Sequence, residues 1–257
     1  MDELARFLSN REDKDMKRLR QYIRRIILES METPDKVIFM AGGPGSGKST
    51  VIRGLNLGTR MTSINPDNEY EASLISAGLT LDRAGLLDEY VPVKNEYKAL
   101  EDAGEPIPAD LEADYQRLRG MMSQHGTLFN QARAGAKARK KELSELGEGF
   151  IVDGTGGNIR EIRKQKNQYE ALGYDCAMIF VDVPLEVSIE RDEARVSRGG
   201  RSLGDRVVTR SWKSVNRNVE AYQEMFGQDF FRVDATSEMM EQSISEIRPD
   251  VESFLAR

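Results

Sequence analysis

The sequence predicts an α/β fold in which a parallel sheet of about five strands is covered by helices on both faces. Short apolar runs such as Val37–Ala41 and Phe150–Asp153 alternate with longer segments of helical periodicity. Strands that are buried on both faces are continuously apolar, and their alternation with helices favours parallel pairing. A glycine-rich segment directly follows the first apolar run, which is the position of a strand-to-helix loop in such folds.

Five apolar runs are the predicted strands of this sheet. They are Val37–Ala41, Met61–Asn65, Phe150–Asp153, Ala177–Val183 and Phe230–Asp234. Glycine or proline follows several of them, which is typical of strand ends. Because ligands bind at the carboxyl ends of parallel strands, we expect the polar residues there, Asp67, Asp153 and Asp182, to lie near one another.

The segments between and around these strands predict two further parts of the chain. Residues 1–34 place apolar side chains at helical spacing among basic ones and form a predicted amphipathic extension that ends at Pro34. Its basic face fits either a solvated face of a helix packed on the main domain or a contact to nucleic acid, a membrane surface or a partner. Residues 35–257 form the main domain, in which residues 68–148 predict a helical insertion.

Individual helices are predicted from the same periodicity. The insertion contains helices over Ala109–Gly120 and Thr127–Leu146, and Gly104–Pro108 is a predicted break between helices. Ile159–Leu172 is a predicted helix that Gly173 closes. A last helix covers about residues 237–256, and Pro249 predicts a kink or break within it.

The strongest motif lies in residues 42–50. It reads Gly42, Gly43, Pro44, Gly45, Ser46, Gly47, Lys48, Ser49 and Thr50, which is the spacing of a phosphate-binding P-loop. The glycines allow successive backbone N–H groups to point at one anion, and the helix that follows adds its positive end. Lys48 would reach the β- and γ-phosphates of ATP or GTP, and the Ser49 hydroxyl would bind Mg²⁺.

Two carboxylates at predicted strand ends fit phosphoryl transfer. Asp67 could accept the proton of an attacking hydroxyl, or it could cap the helix that follows it. Asp153 could hold Mg²⁺, directly or through water. Thr155 and Asn158 come shortly after Asp153 and could touch the substrate, although Asp, Gly, Thr and Asn are also ordinary turn residues.

Residues 190–218 form a predicted arginine-rich lid. Between positions 191 and 217, eight basic residues stand against three acidic ones, and two glycines interrupt the segment. Arg191, Arg198 and Arg201 are candidates to stabilise the transferring phosphate, because the planar guanidinium stabilises transition-state charge. A solvated pair of basic helices and a surface for nucleic-acid backbone are the alternatives.

Composition excludes several other classes of protein. The net charge of the 257-residue chain is −6, so no global basic field recruits nucleic acid. The single cysteine, Cys176, excludes a cysteine-based metal site and is predicted to be a buried small hydrophobe. No apolar stretch reaches the roughly 18 residues of a membrane span, and no secretory segment is apparent, so we expect a cytoplasmic protein. The only histidine, His125, is assigned no role.

In the order of these motifs the sequence resembles the zeta-toxin kinases, which are relatives of the polynucleotide kinases and of small-molecule P-loop kinases. The matching segments are Gly42–Thr50, Ile64–Asp67, Ile151–Thr155, Val183–Pro184 followed by Arg191, Arg198, Gly199 and Arg201, and Val208–Trp212 followed by Val215 and Asn218. The resemblance spans residues 35–235.

The resemblance implies a kinase that transfers the γ-phosphate of ATP or GTP to a hydroxyl group. Lys48 and Ser49 would hold phosphate and Mg²⁺, Asp67 would be the base, and the lid arginines would neutralise the transferring group. It implies UDP-N-acetylglucosamine or a nucleotide-type acceptor, bound by the 68–148 insertion, and is compatible with an antitoxin-like protein partner. The alternative is a polynucleotide 5′-hydroxyl kinase or another nucleic-acid-directed P-loop ATPase.

Overall fold

Five strands form one parallel sheet in the computed structural model, which describes residues 35–196 and 200–257. The strands are β1 (Lys36–Ala41), β2 (Thr62–Ile64), β3 (Phe150–Asp153), β4 (Asp175–Asp182) and β5 (Phe230–Asp234). Their order across the sheet is β2-β3-β1-β4-β5. The predicted amphipathic extension of residues 1–34 and the candidate Arg198 lie outside the described residues.

The centre of the sheet is β1, which lies between β3 and β4. Ile38 is aligned with Ile151 of β3 and with Ala177 of β4. Every residue of β1 is buried, as expected for a strand covered on both faces. The predicted α/β fold class, a five-stranded parallel sheet flanked by helices, is confirmed. One strand is shorter than predicted: β2 ends at Ile64 because Asn65 already caps the next helix.

Nine α-helices are present in the described part of the chain. They are α1 (Lys48–Gly54), α2 (Pro66–Ser76), α3 (Arg83–Ala103), α4 (Ala109–Leu146), α5 (Ile159–Glu170), α6 (Leu185–Val196), α7 (Asp205–Asn216), α8 (Val219–Phe226) and α9 (Met240–Ala256). The predicted insertion is mostly helical, since α2, α3 and α4 are separated only by short connections between β2 and β3.

The two faces of the sheet carry separate apolar cores. Ile38 and Met40 point to one face, where they belong to a cluster completed by side chains of α1 and α9. Val37 and Phe39 point to the other face, into a cluster that includes side chains of α4, α5, α7 and α8. This alternation follows from the two-residue period of a strand, and it fixes β1 between two helical layers.

The longest helix corrects the prediction of two helices in the insertion. α4 runs without interruption from Ala109 to Leu146 through the segment that joins Gly120 to Thr127. Leu118, His125 and Ala132 are buried along this stretch. The packing of these side chains outweighs the modest helix penalty of glycine, which is about 1 kcal/mol per residue.

The last helix continues through its proline. α9 extends from Met240 to Ala256 with Pro249 inside it, so the predicted break does not occur. Ile244 before the proline and Val251 and Phe254 after it belong to the same apolar cluster. Burial on both sides of Pro249 therefore holds the helix together despite the lost backbone hydrogen bond.

The single cysteine and the lengths of the apolar helices can both be read from the structure. Cys176 is a buried free thiol in β4, as predicted, and its burial raises its pKa to about 12. Among the described helices, none combines the length and the apolar character that a membrane crossing requires.

Continuity of α4 can be tested at Gly120. Nothing lies within 4 Å of a Cβ added there, so Gly120→Ala is expected to raise the free energy of unfolding by about 0.5–1 kcal/mol through lower backbone entropy. The control is Gly104→Ala at the end of α3, where φ is +67° and the added Cβ also meets open space. That variant should be less stable in the same denaturant titration. A lower stability of Gly120→Ala would contradict a continuous helix.

Candidate active site

A cavity of about 800 Å³ opens at the carboxyl ends of β1, β2 and β3. Residues 44–50 line it after β1, residues 65–71 contribute several side chains after β2, and residues 153–155 line it after β3. Its remaining wall comes from α6, α7 and the segment that joins them, with further side chains from the insertion. The cavity lies at the edge of the sheet where parallel strands place ligands.

The glycine-rich loop connects β1 to α1 and depends on Gly45. The φ angle of Gly45 is +73°, and a Cβ there would lie 2.5 Å from the backbone oxygen of Ser188. Both observations require glycine. The loop is also tied to the end of β3, because the Gly42 N–H donates to the Thr155 carbonyl oxygen at 3.0 Å.

Lys48 folds back over its own loop. Its Nζ donates to the carbonyl oxygens of Gly42 and Gly43 at 2.9 and 3.1 Å. Burial of the amine lowers the pKa of Lys48, and the Asp153 carboxylate opposes this shift. The Lys48 side chain therefore lies against its own loop and near the Asp153 carboxylate.

Asn65 joins the ends of β2 and β3 to the start of α2. Its Nδ2 donates to Asp153 Oδ2 at 2.7 Å, and its Oδ1 accepts from the Asp67 backbone N–H at 2.9 Å. Asn65 is thus the N-cap of α2, so the capping role considered for Asp67 belongs to its neighbour. The side chain of Asp67 is left available for other contacts.

Asp153 has one carboxylate oxygen without a partner. The residue is buried, and among the described residues its Oδ1 accepts no hydrogen bond. Burial raises the pKa of this carboxyl, while Lys48 and the Asn65 hydrogen bond act in the opposite direction. A buried, unsatisfied oxygen facing a cavity fits a cation or water ligand.

Ser49 is the second residue that could bind a metal, since it also lines the cavity. Residues 35–196 and 200–257 contain no group of three or more His, Cys, Asp or Glu side chains that could hold a metal ion. Mg²⁺ does not need such a group, because one or two protein oxygens usually suffice when phosphates complete its shell. Ser49 and Asp153 therefore fit a phosphate-bound Mg²⁺.

Arg201 contacts two carboxylates and an aromatic ring. Its Nη2 donates to Asp67 Oδ1 at 3.0 Å, and its Nε lies 3.5 Å from Glu71 Oε1. The guanidinium also lies over the ring of Tyr70, 5.2 Å from the centroid. Arg201 is buried, whereas the Asp67 side chain is 48% exposed. The carboxylate therefore remains accessible from the cavity.

Two further arginines of α6 lie at the cavity, and a buried aspartate of the same helix holds the chain that follows Arg201. Arg191 lines the cavity, where its Nη1 donates to the Gly45 carbonyl oxygen at 3.4 Å and its Nη2 to that of Ala235 at 2.9 Å. Arg195 lines it as well. The chain after Arg201 is anchored by buried Asp192, which accepts hydrogen bonds from Ser202, Leu203 and Gly204.

Two polar residues of the predicted set lie elsewhere. Asn158 caps α5 by accepting a hydrogen bond from the Glu161 N–H, and it is not part of the cavity lining. Asp182 is paired with Arg232 across β4 and β5, also away from the lining. Thr155, by contrast, does line the cavity.

Sequence reasoning missed three residues of this site. Asn65 was treated only as a strand end, although an Asn before Pro at a helix start is a recognisable cap signal. Arg83, the first residue of α3, lines the cavity, and its buried Nε has no hydrogen-bond partner in the described part of the chain. Phe129 of α4 lines the same wall. No local pattern marks Arg83 or Phe129, because only packing of the insertion brings them to the cavity.

His125 supports the wall of the insertion. A hydrogen bond of 2.8 Å joins its Nδ1 to the Tyr70 hydroxyl, under the ring that Arg201 covers. Burial, together with the charges of Arg83 and Arg201, lowers the pKa of His125. The histidine is not part of the cavity lining, and we assign it a packing role.

One family model matches most of the described chain. Residues 37–222, more than half of the chain, match a family model described as an AAA domain. A sequence search of curated proteins finds no match. Similar solved structures include a protein of Chloroflexus aurantiacus j-10-fl, at 13% identity, a TM-score of 0.49 and coverage of 87% of this chain and 99% of the other.

Two further solved structures are similar to this chain over most of its length. A gluconokinase of Sinorhizobium meliloti 1021 is 16% identical, with a TM-score of 0.41 and coverage of 87% of this chain and 93% of the other. A structure of the PezAT chromosomal toxin-antitoxin system of Streptococcus pneumoniae is 13% identical, with a TM-score of 0.43 and coverage of 93% and 96%.

The loop geometry predicts that alanine lowers stability at Gly45 but has little effect on stability at Gly43. Gly45→Ala combines a positive φ with a backbone clash and should lower the free energy of unfolding by about 1–3 kcal/mol. Gly43→Ala is the control, since its added Cβ would only make ordinary contacts of 3.6 Å or more with Trp212. Thermal unfolding of both variants measures the difference. Equal stability of the two would contradict the described loop conformation.

Proposed function

This chain belongs to the AAA domain family, and on that premise we propose that it is a kinase that transfers the γ-phosphate of ATP or GTP to a hydroxyl group of a small molecule. The observation that carries the proposal is the meeting of Lys48, Asp67, Asp153 and Arg201 around one cavity, with Arg191 beside them. Lys48 would bind phosphate, Asp67 would act as the base and Asp153 would bind the metal. Arg201 and Arg191 would supply two guanidinium groups.

The nucleotide is held by the loop of residues 44–50. Backbone N–H groups of this loop bind the phosphates, and Lys48 exchanges its carbonyl partners for phosphate oxygens. Ser49 and Asp153 would hold Mg²⁺, which supplies charge neutralisation for the phosphates when it is bound. Asn65 keeps the second oxygen of Asp153 occupied and so orients the free one.

Transfer requires a base next to the acceptor hydroxyl, and Asp67 is the exposed carboxylate in the correct part of the cavity. The acceptor oxygen forms a bond to the γ-phosphorus, while the bond from that phosphorus to the bridging oxygen breaks and the nucleoside diphosphate leaves. The hydroxyl proton passes to Asp67. Arg201 and Arg191 stabilise the charge on the transferring group through their planar forks. Arg198 of the same lid is a further candidate, proposed from the sequence alone.

Acceptor selection falls to the insertion of residues 68–148. Its wall presents Phe129, which can stack on a flat group, and Arg83, a cation without an ion-pair partner in the described part of the chain. An unpaired guanidinium in a cavity favours an anionic ligand. These features support an acceptor of the UDP-N-acetylglucosamine or nucleotide type over a neutral sugar.

A transfer assay with γ-labelled ATP and Mg²⁺ tests the proposal. The acceptors are UDP-N-acetylglucosamine, free N-acetylglucosamine, nucleoside monophosphates, NAD and oligonucleotides with free 5′-hydroxyls, and Lys48→Ala is the control. We expect label on an anionic small molecule and none with the control variant. ATP hydrolysis without a labelled acceptor would contradict the kinase assignment, and label only on oligonucleotides would replace the small-molecule acceptor by nucleic-acid ends.

The base assignment predicts a specific loss at Asp67. Asp67→Asn should reduce phosphate transfer by about 10²- to 10⁴-fold, because the amide cannot accept the hydroxyl proton. Binding of a fluorescent ATP analogue should remain close to that of the wild type. Glu71→Gln is the matched control, since it also removes a carboxylate next to Arg201 and leaves Asp67 in place. Full turnover by Asp67→Asn would refute the assignment.

The contact between Asn65 and Asp153 predicts an effect on metal affinity. Asn65→Ser keeps a hydroxyl that can cap α2 but is too short to reach Asp153, so the metal ligand loses its orienting partner. The Mg²⁺ concentration for half-maximal transfer should rise about 10- to 100-fold. Unfolding temperature reports whether the cap is kept. An unchanged Mg²⁺ dependence would exclude Asp153 as the oriented ligand.

A further inference from the structure

A second concave surface lies on the outer side of α7, separate from the cavity described above. Its volume is about 800 Å³, and it is lined by Asp205, Arg206, Thr209, Arg210, Lys213 and Arg217. The four basic residues are all exposed, and their spacing of four, three and four positions places them along one face of the helix. We call this surface the α7 groove.

The basic residues of the α7 groove are not balanced by acidic partners in the described part of the chain. Within residues 35–196 and 200–257, none of the four forms an ion pair. Like charges three or four positions apart on a helix destabilise it, and here three such pairs follow one another. A chain with a net charge of −6 has nevertheless concentrated these cations on one strip of surface.

The helix itself is rigidly attached by its other face. Val208 and Val215 are buried, and Trp212 Nε1 donates to the Val183 carbonyl oxygen at 2.7 Å. Val207 and Ser211 line the catalytic cavity, one position along from Arg206 and Arg210. The groove is therefore a preformed surface beside the cavity rather than part of its lining.

The lining indicates which anion the groove would bind. It contains no aromatic or aliphatic residue, which argues against a protein partner, because protein interfaces have apolar or aromatic centres, and against stacking of unpaired bases. Three of the four cations are arginines, whose planar forks match phosphate oxygens, and Thr209 adds a hydroxyl. From Arg206 to Arg217 the strip extends over roughly 16 Å of helix, which is enough to follow several successive phosphates.

From these observations we propose that the α7 groove binds the phosphate backbone of double-stranded nucleic acid, without reading its sequence. Arg206, Arg210, Lys213 and Arg217 each contact a phosphate. This binding site is independent of the proposed phosphate transfer, and it would hold a duplex next to the cavity opening at Val207 and Ser211.

The test measures binding of a fluorescein-labelled 20-base-pair DNA duplex by anisotropy at 50 and 200 mM salt. The groove variant is R206Q/R210Q/K213Q/R217Q, and the matched control is K137Q/R160Q/R163Q/K164Q, which removes the same charge from exposed positions on α4 and α5. Four phosphate contacts predict that wild-type affinity falls about 150-fold between the two salt concentrations. The groove variant should lose binding at 50 mM salt, and the control should retain most of it.

Further measurements separate this proposal from other outcomes. The groove variant should unfold at the same or a higher temperature than the wild type, since it removes like-charge repulsion, and it should still bind the ATP analogue. Lys48→Ala should bind the duplex normally, so failure of the kinase proposal leaves this one intact. No duplex binding by the wild type at 50 mM salt, equal loss in both charge variants, or groove-dependent binding of a poly-glutamate peptide in place of DNA would overturn it.

Discussion

The candidate site depends on the side-chain amide of Asn65, which joins the turn between β2 and α2 to the end of β3, about 90 residues further along the chain. Its nitrogen donates to Asp153 at the end of β3, and its oxygen accepts from the first turn of α2, where Asp67 lies. The pairing of β2 with β3 brings the two carboxylates to the same edge of the sheet, and the amide sets their orientation. Without it, the strand ends would still be adjacent but the two carboxylates would have no common support.

A second constraint acts across the cavity through Arg201. A buried guanidinium is costly unless it is paired, and this one is matched by Asp67, Glu71 and the ring of Tyr70. All three partners belong to α2, whereas Arg201 belongs to the segment between α6 and α7. The ion pairs therefore join α2 to the segment between α6 and α7.

Short sequence patterns predicted the sheet and the glycine-rich loop, because strand burial and a positive φ angle each depend on a few consecutive residues. Continuous apolar runs identified all five strands within a few residues, and Gly45 stands where the backbone requires a positive φ. Patterns were less reliable in the insertion. The pattern predicted two helices over residues 109–146, but buried side chains such as Leu118 and Ala132 keep α4 continuous. Intrinsic helix propensity contributes less to the stability of a helix in a protein than the burial of its apolar face.

By itself, the sequence determined the fold class and the position of the glycine-rich loop between β1 and α1, since both follow from backbone conformation and strand burial over a few consecutive residues. Only the tertiary structure decided which polar side chains meet. It brought Arg83 and Phe129 to the cavity, placed Asn158 at a helix cap, and divided the described arginines of residues 190–218 between the cavity and the α7 groove. These outcomes depend on contacts between elements tens of residues or more apart, which no local pattern records.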